Sequence, residues 1–240
     1  MKTARQCINE LLGLETVKVW SLIVTLFGDL GRKSAASLTG KEIREQLGHI
    51  GIKPEAIRVA LHRLKKDGWI VTAKDGRETI YRLSEEGIHQ TISAYKDVYR
   101  KDVKYGSGWK LQIQQEENPN DDRPQLPVFK NVAWVPASID ANHNRALTVE
   151  YDPTSLPDWF IERTVPGNVI NNVQKYHLAI EQLADVLENC NEEDKRAIRL
   201  LALHHWRKMA LRDNTWFHIW LFKDGVFAKC HRKITHILDA

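Results

Sequence analysis

The chain has 240 residues, 42% hydrophobic and 28% charged, which is enough to fill a core and too mixed for a disordered chain. No apolar run approaches the ~20 residues that cross a bilayer, and Cys7, Cys190 and Cys230 are too far apart for a CxxC zinc or redox pair. The net charge of +4 is unevenly spread: residues 1–105 carry 19 Lys and Arg against 13 Asp and Glu, residues 106–195 carry 7 against 15, and residues 196–240 carry 9 against 3, so polyanion binding is expected at the ends.

The opening MKTARQCINELLGLET is interrupted by Glu10 and Glu15 and lacks a small-residue cleavage site. No secretion signal is expected, and a reducing cytoplasmic location fits the cysteines. VKVWSLIVTLF, ending at Phe27, is apolar at too many positions for one face, which predicts a helix buried at the centre of a small domain and stopping near Gly28 and Gly31. After a polar loop, Thr39 followed three residues later by Glu42 reads as a capping box for a helix that ends near Gly48. Pro54 then opens the next helix at a position where its missing N–H costs nothing.

On that helix Ile57, Ala60, Leu61 and Leu64 share one face at a period of about 3.6 residues. Arg58, Val59, His62, Arg63 and Lys66 fall on the sides and back. The β-branched and aromatic runs after Trp69 and after Arg77, with Asp75-Gly76 between them, predict a hairpin with a type I′ turn. Three helices and a hairpin within about seventy residues is the order of a winged helix-turn-helix. Ser84, with Gly87 close by, opens a further helix that connects to the rest of the chain.

Alternation predicts strands over 109–114, 131–136 and 147–151. The stretch 116–127, with three prolines, reads as a loop. Val169, Val173, Tyr176, Ile180, Leu183 and Leu187 lie at helical spacing in 168–188, and a second amphipathic helix follows through Leu200, Leu201 and Leu203 to about Trp206. The expected fold class is α+β. Its parts are a winged-helix DNA-binding domain over 1–88, a connector helix over 89–106, a strand-rich middle domain over 107–166 and a helical C-terminal domain over 167–240.

A helix of this kind fits the major groove, where residues near its N-terminal end reach base edges and cations take phosphates. Lys53, Arg58, Val59 and His62 are therefore expected at or near base edges, and Arg63 and Lys66 on phosphates. Lys74 and Arg77 flank the hairpin tip and are placed for the backbone or the minor groove. A basic helix is also a common solvated face, and winged helices serve as protein-interaction or RNA-binding modules as well. The paired basic helix and basic tip favour double-stranded DNA.

SLIVTLFGDLG (21–31) and IRVALHRLKKDGWIVTAKDGRETIYRLSEEG (57–87) resemble the PaaX family, bacterial repressors of phenylacetate catabolism. That family carries SLIVTxFGD before a recognition helix of type VRxALxRLxKxGW and a wing ending YxLTxxG. A weaker likeness joins RLLALHHWRKMALRD (199–213) to the family's LxHEYRxxxLRDP stretch, with His204, Arg207, Arg212 and Asp213 at the recurring positions. The resemblance implies a homodimeric repressor of a catabolic operon. It would have a winged-helix head, a small ferredoxin-like middle resembling the CRISPR-associated Cas2 fold, a helical C-terminal part and an aryl- or acyl-CoA effector.

For such an effector, Arg207, Lys208 and Arg212 could pair with phosphates, Trp206, Trp216, Phe217 and Trp220 could supply an apolar wall, and the resemblance adds His204 to the same site. A C-terminal core and ordinary salt bridges explain the same residues. His204 and His205 are adjacent and His231 and His236 five apart, spacings that chelate poorly, so no metal and no bound cofactor is expected. Asp121, Asp122 and Asp152 sit in turn-forming contexts, and no Gly-rich phosphate loop, nucleophile elbow or HExxH appears, so no enzyme is expected.

Overall fold

A computed structural model of the protein describes residues 2–31, 37–101, 103, 109–115, 125–137, 146–149, 157–165, 167–212 and 215–239. In chain order they form α1 (Ala4–Gly13), α2 (Val19–Leu30), β1 (Ser37–Thr39), α3 (Gly40–Ile50), α4 (Pro54–Lys66), β2 (Ile70–Asp75), β3 (Glu78–Leu83) and α5 (Glu85–Val98). Four strands follow: β4 (Trp109–Gln114), β5 (Leu126–Phe129), β6 (Val132–Pro136) and β7 (Ala146–Val149). The remaining elements are α6 (Asp158–Thr164), α7 (Gly167–Ile180), α8 (Leu183–Glu188), α9 (Glu192–Ala210), α10 (Thr215–Leu221) and α11 (Val226–Asp239). The chain is a mixed α+β protein. Among the described residues no helix is long and apolar enough to cross a membrane.

The chain divides into two compact units, one of Met1–Arg100, Leu178–Leu211 and Lys233–Ala240, the other of Lys101–His177 and Arg212–Arg232. The sequence boundaries run linearly, with 167–240 as one part. In the structure, 178–211 instead packs with the first hundred residues. The physical reason lies in α9. Its Ala197, Ile198, Leu201, Ala202, Leu203 and Trp206 are all buried, because α1, α2, α3, α5 and α8 pack around it.

In the first unit α2 is covered on more than one side, by α4 and α9, which is why a helix apolar all round is stable there. Thr39 caps α3 as expected, with Glu42 reaching back to the Thr39 backbone at 2.7 Å. The helix runs on to Ile50, and Gly51 ends it in the left-handed region at φ 100°. Glycine is the residue that adopts this conformation without strain. Two elements that sequence reading missed complete the unit. Thr3 and Gln6 cap α1 reciprocally, and β1 pairs antiparallel with β3, giving a sheet of order β1-β3-β2.

The hairpin turn differs from expectation. Asp75 pairs with Glu78, so the two loop residues are Gly76 and Arg77 rather than Asp75 and Gly76. Gly76 has φ 56° and, among the described residues, no non-glycine residue has positive φ, Arg77 included, which is the first-position glycine pattern of a type II′ turn, not type I′.

The second unit holds an antiparallel sheet of order β5-β6-β4-β7. Leu126, Val128, Trp134, Phe160 and Phe217 form its core, with Trp109 and Phe217 edge to face at 4.8 Å. β5 falls partly inside the stretch expected to be a loop. Pro127 is tolerated because β5 is an edge strand, where the missing N–H costs no ladder bond. The single helix expected over 168–188 is two helices, α7 and α8, and α6, α10 and α11 were not anticipated.

Candidate nucleic-acid interface

Three residues, 51–53, separate α3 from α4. The chain reverses here through Gly51, whose N–H donates to Gly48, while Ile52 N–H donates to Leu47 O at 3.0 Å. Lys53 then occupies the N-cap and Pro54 the first turn of α4. Ile57, Ala60, Leu61 and Leu64 are buried. Their burial fixes the rotation of the helix, and with it the outward face.

That face carries the residues expected from sequence. Lys53, Arg58, Val59, His62, Arg63 and Lys66 are all exposed, Val59 at 63%. Lys74, in β2, and Arg77, at the hairpin turn, are exposed as well. Among the described residues Lys53, Arg58, Lys66, Lys74 and Arg77 form no ion pair, so their charge faces solvent uncompensated. Arg63 differs. Its Nε lies 3.3 Å from Asp67 Oδ2, and its guanidinium sits 5.4 Å from the centroid of the Trp20 ring. Part of its charge is already engaged.

Sequence reading did not single out Lys65. Its Nζ donates to Thr72 Oγ1 at 3.0 Å, joining the last turn of α4 to β2. The base of the hairpin is held from the other side by Trp69, whose carbonyl accepts from Ser84 N–H at 2.9 Å. Gly87 abuts the same carbonyl so closely that a Cβ there would lie 2.4 Å from it. Helix, hairpin and the start of α5 are thus bonded to one another locally.

The residues expected to meet an effector lie mostly inside the first unit. His204 is 1% exposed, with Nδ1 3.2 Å from Thr25 Oγ1, and burial holds its pKa down to about 3. Trp206, also 1% exposed, donates Nε1–H to Val98 O at 2.8 Å. Arg207 donates to Ser21 Oγ at 2.7 Å. Lys208 binds Glu15 at 2.6 Å, and His205 lies 3.1 Å from the same carboxylate. Glu15 is accordingly held down at about 2, chiefly by the His205 hydrogen bond with Lys208 adding to it. Arg212 is exposed and belongs to the second unit. His204, Trp206 and Lys208 therefore have structural partners that sequence spacing could not disclose.

Among the described residues no group of three or more His, Cys, Asp or Glu side chains could hold a metal ion. In the second unit His218 pairs with Thr164 Oγ1 at 2.9 Å, and burial pushes it down to about 4. Burial raises the Cys230 thiol to about 12. Asp121, Asp122, Asp152 and Asp213 lie outside the described residues.

Comparison with known proteins falls on the same elements. The model of a family described as PaaX-like protein matches residues 18–87, from the N-cap of α2 to the first turn of α5. The chain is also similar to the transcriptional repressor PaaX of Escherichia coli (strain K12), 32% identical over 80 residues. The matched stretch is 33% of this chain and 25% of that protein, so the similarity spans about a quarter of the relative's length. The similarity to the PaaX-like family lies in residues 18–87, which hold α2, α3, α4 and the β2–β3 hairpin.

Proposed function

We propose that this protein is a DNA-binding transcriptional regulator, acting as a repressor, whose first unit grips operator DNA as a winged helix-turn-helix. α4 enters the major groove and the β2–β3 hairpin serves as the wing. One observation carries the reading: a helix face with Lys53, Arg58, His62 and Lys66 and a hairpin with Lys74 and Arg77 stand exposed in the segment that is PaaX-like. Cations without an ion-pair partner on one helix and an adjoining ribbon suit the phosphates of a duplex. Val59 is an apolar side chain held in solvent, suited to the methyl group of a thymine.

Arg58, Val59 and His62, nearest the start of α4 with Lys53, read bases; Lys66, Arg63, Lys74 and Arg77 hold phosphates. Family resemblance supports the finer expectations: a homodimer on a two-fold operator, a ferredoxin-like second unit, control of a catabolic operon and release by an acyl-CoA. For that effector Arg207 is the cation of the first unit, among those the resemblance marks, that has no carboxylate partner among the described residues. Release requires an effector that prefers the DNA-incompetent state.

Gel retardation of the DNA upstream of the protein's own coding region, with unrelated competitor DNA present, tests the reading. Selective retardation that falls steeply with salt is the expected result. Retardation abolished equally by any competitor would overturn it in favour of a protein- or RNA-binding module.

A further inference from the structure

The turn that leads into α4 is tied to two helices of the first unit that lie outside residues 18–87, α1 and α9. His49 stands in the last turn of α3, four residues before Lys53 at the N-cap of α4. Its Nε2 lies 2.8 Å from Oδ1 of Asp194, in the first turn of α9. A carboxylate can only accept, so Nε2 carries the proton and donates it. The second ring nitrogen, Nδ1, faces the Glu193 carboxylate at 3.7 Å. The main chain of the same residue is held by α1, where Arg5 donates Nη1–H to the His49 carbonyl at 3.0 Å.

Asp194 is itself fixed before it meets His49. Its Oδ2 accepts from Asn191 Nδ2 at 3.0 Å, and its backbone N–H donates to Asn191 Oδ1 at 2.8 Å, so the cap of α9 sets the direction of the carboxylate. Glu192, in the same turn, pairs with Lys195 of its own helix and is 76% exposed. Asp194 is 21% exposed and joins the cap of α9 to the end of α3. Burial of the α4 stripe fixes the rotation of that helix, but apolar contacts are non-directional. A directional bond at the preceding turn resists a slide of α4 along its axis. Groups that read a ligand need placing to within about 0.5 Å.

We propose that Asp194 is a positioning residue for DNA reading. It acts through His49 to fix the end of α3, and with it the places of Lys53, Arg58 and His62. The inference rests on the DNA-binding reading and extends it: base selectivity draws on α9, beyond the residues that resemble the PaaX-like family. Charge alone makes the opposite forecast, because deleting a carboxylate from a DNA-binding unit removes a repulsion from phosphates and should tighten binding to every duplex. Weaker and less selective binding without Asp194 is therefore the mark of positioning.

Anisotropy titration of the full chain tests this, with the DNA upstream of its own coding region as the preferred duplex and an unrelated duplex of equal length beside it. Stoichiometric titration of each variant, at a temperature well below its melt, corrects for any unfolded fraction. Asp194→Ala and His49→Leu should each weaken binding to the preferred duplex by about three- to tenfold. Binding to the unrelated duplex should not fall, and the salt slope should hold because no phosphate contact is lost. The double variant should be no worse than either single one, since both remove the same bond. His49→Gln keeps an amide donor near the place of Nε2 and should retain most of the selectivity. Glu192→Ala removes the same charge from the same turn and should leave selectivity intact. Absence of selective binding by the unaltered chain overturns the DNA-binding reading and this inference with it. Selective binding that Asp194→Ala leaves unchanged or tightens overturns the inference alone. So does an equal loss on both duplexes, or His49→Gln as damaging as His49→Leu.

Discussion

Lys65 Nζ lies 3.0 Å from Thr72 Oγ1, and this contact ties α4, the helix proposed to enter the major groove, to the first strand of the hairpin. Thr72→Val removes the acceptor and keeps every positive charge as well as the strand preference of the position. A hydrogen bond to a charged donor at a half-exposed site contributes about 1 kcal/mol, so DNA affinity should fall by about three- to fivefold as the hairpin loses its fixed position. The slope of log affinity against log salt should not change, since no phosphate contact is deleted. Anisotropy titrations at several salt concentrations read both quantities, and an altered slope would contradict this role.

Arg58 and Lys74 are both exposed and unpaired among the described residues, yet the proposed DNA-binding mode gives them different work. Arg58 stands in the second turn of α4, where a helix lying in the major groove would reach base edges; Lys74 stands beside the hairpin tip. Arg58→Ala, or His62→Ala, should cost about 1–3 kcal/mol on the preferred site and relax selectivity at one base position. Lys74→Ala should weaken binding to all sequences alike and lower the salt slope by about one. Identical behaviour of the two variants would remove the division into readers and clamps.

Gly87 has no room for a side chain, because a Cβ would stand 2.4 Å from the Trp69 carbonyl oxygen, a backbone atom that cannot swing away. Gly87→Ala must move either the start of α5 or the foot of the hairpin. A loss of about 1–3 kcal/mol is expected, as for overpacking elsewhere, and circular-dichroism melts should register it as a drop of several degrees. Gly48→Ala is the control. Nothing lies within 4 Å of a Cβ there, and the position is inside α3, so its Tm should hold or rise.

These local features were legible in the sequence because each is written within a few residues. The α4 stripe of Ile57, Ala60, Leu61 and Leu64, the Thr39–Glu42 cap and Pro54 at a helix start all obey short-range rules, and all appear in the structure. The turn was displaced by one residue, since Asp-Gly marks a tight turn without saying which of its residues takes the central place. α9 was not legible in the same way. Trp206 donates to Val98, 108 positions away, and His204 meets Thr25, 179 positions away. No period or cap announces such partners, so a helix that completes the first unit read as part of a separate C-terminal domain.

Stability should fall on mild acidification, and the residues responsible can be separated by pH. His204 is held down to about 3 and His218 to about 4 by burial, against an ordinary 6.5. An unfolded chain therefore takes up these protons below about pH 6.5, while the folded one refuses them until far lower pH. The contribution is complete above 6.5 and is lost as pH falls, at up to about 1.4 kcal/mol per pH unit for each ring. Glu15, held at about 2 against 4.5, contributes above pH 4.5 and begins to lose its share only below it. Between pH 6.5 and 4.5 the loss belongs to the buried histidines. His204→Gln should lower stability at pH 7.5, where the Thr25 contact is lost, and flatten the decline between pH 6.5 and 4.5 for the transition of the first unit. Urea midpoints at pH 7.5, 6.0 and 5.0 measure it, and an unflattened decline in the variant would assign the acid sensitivity to other groups.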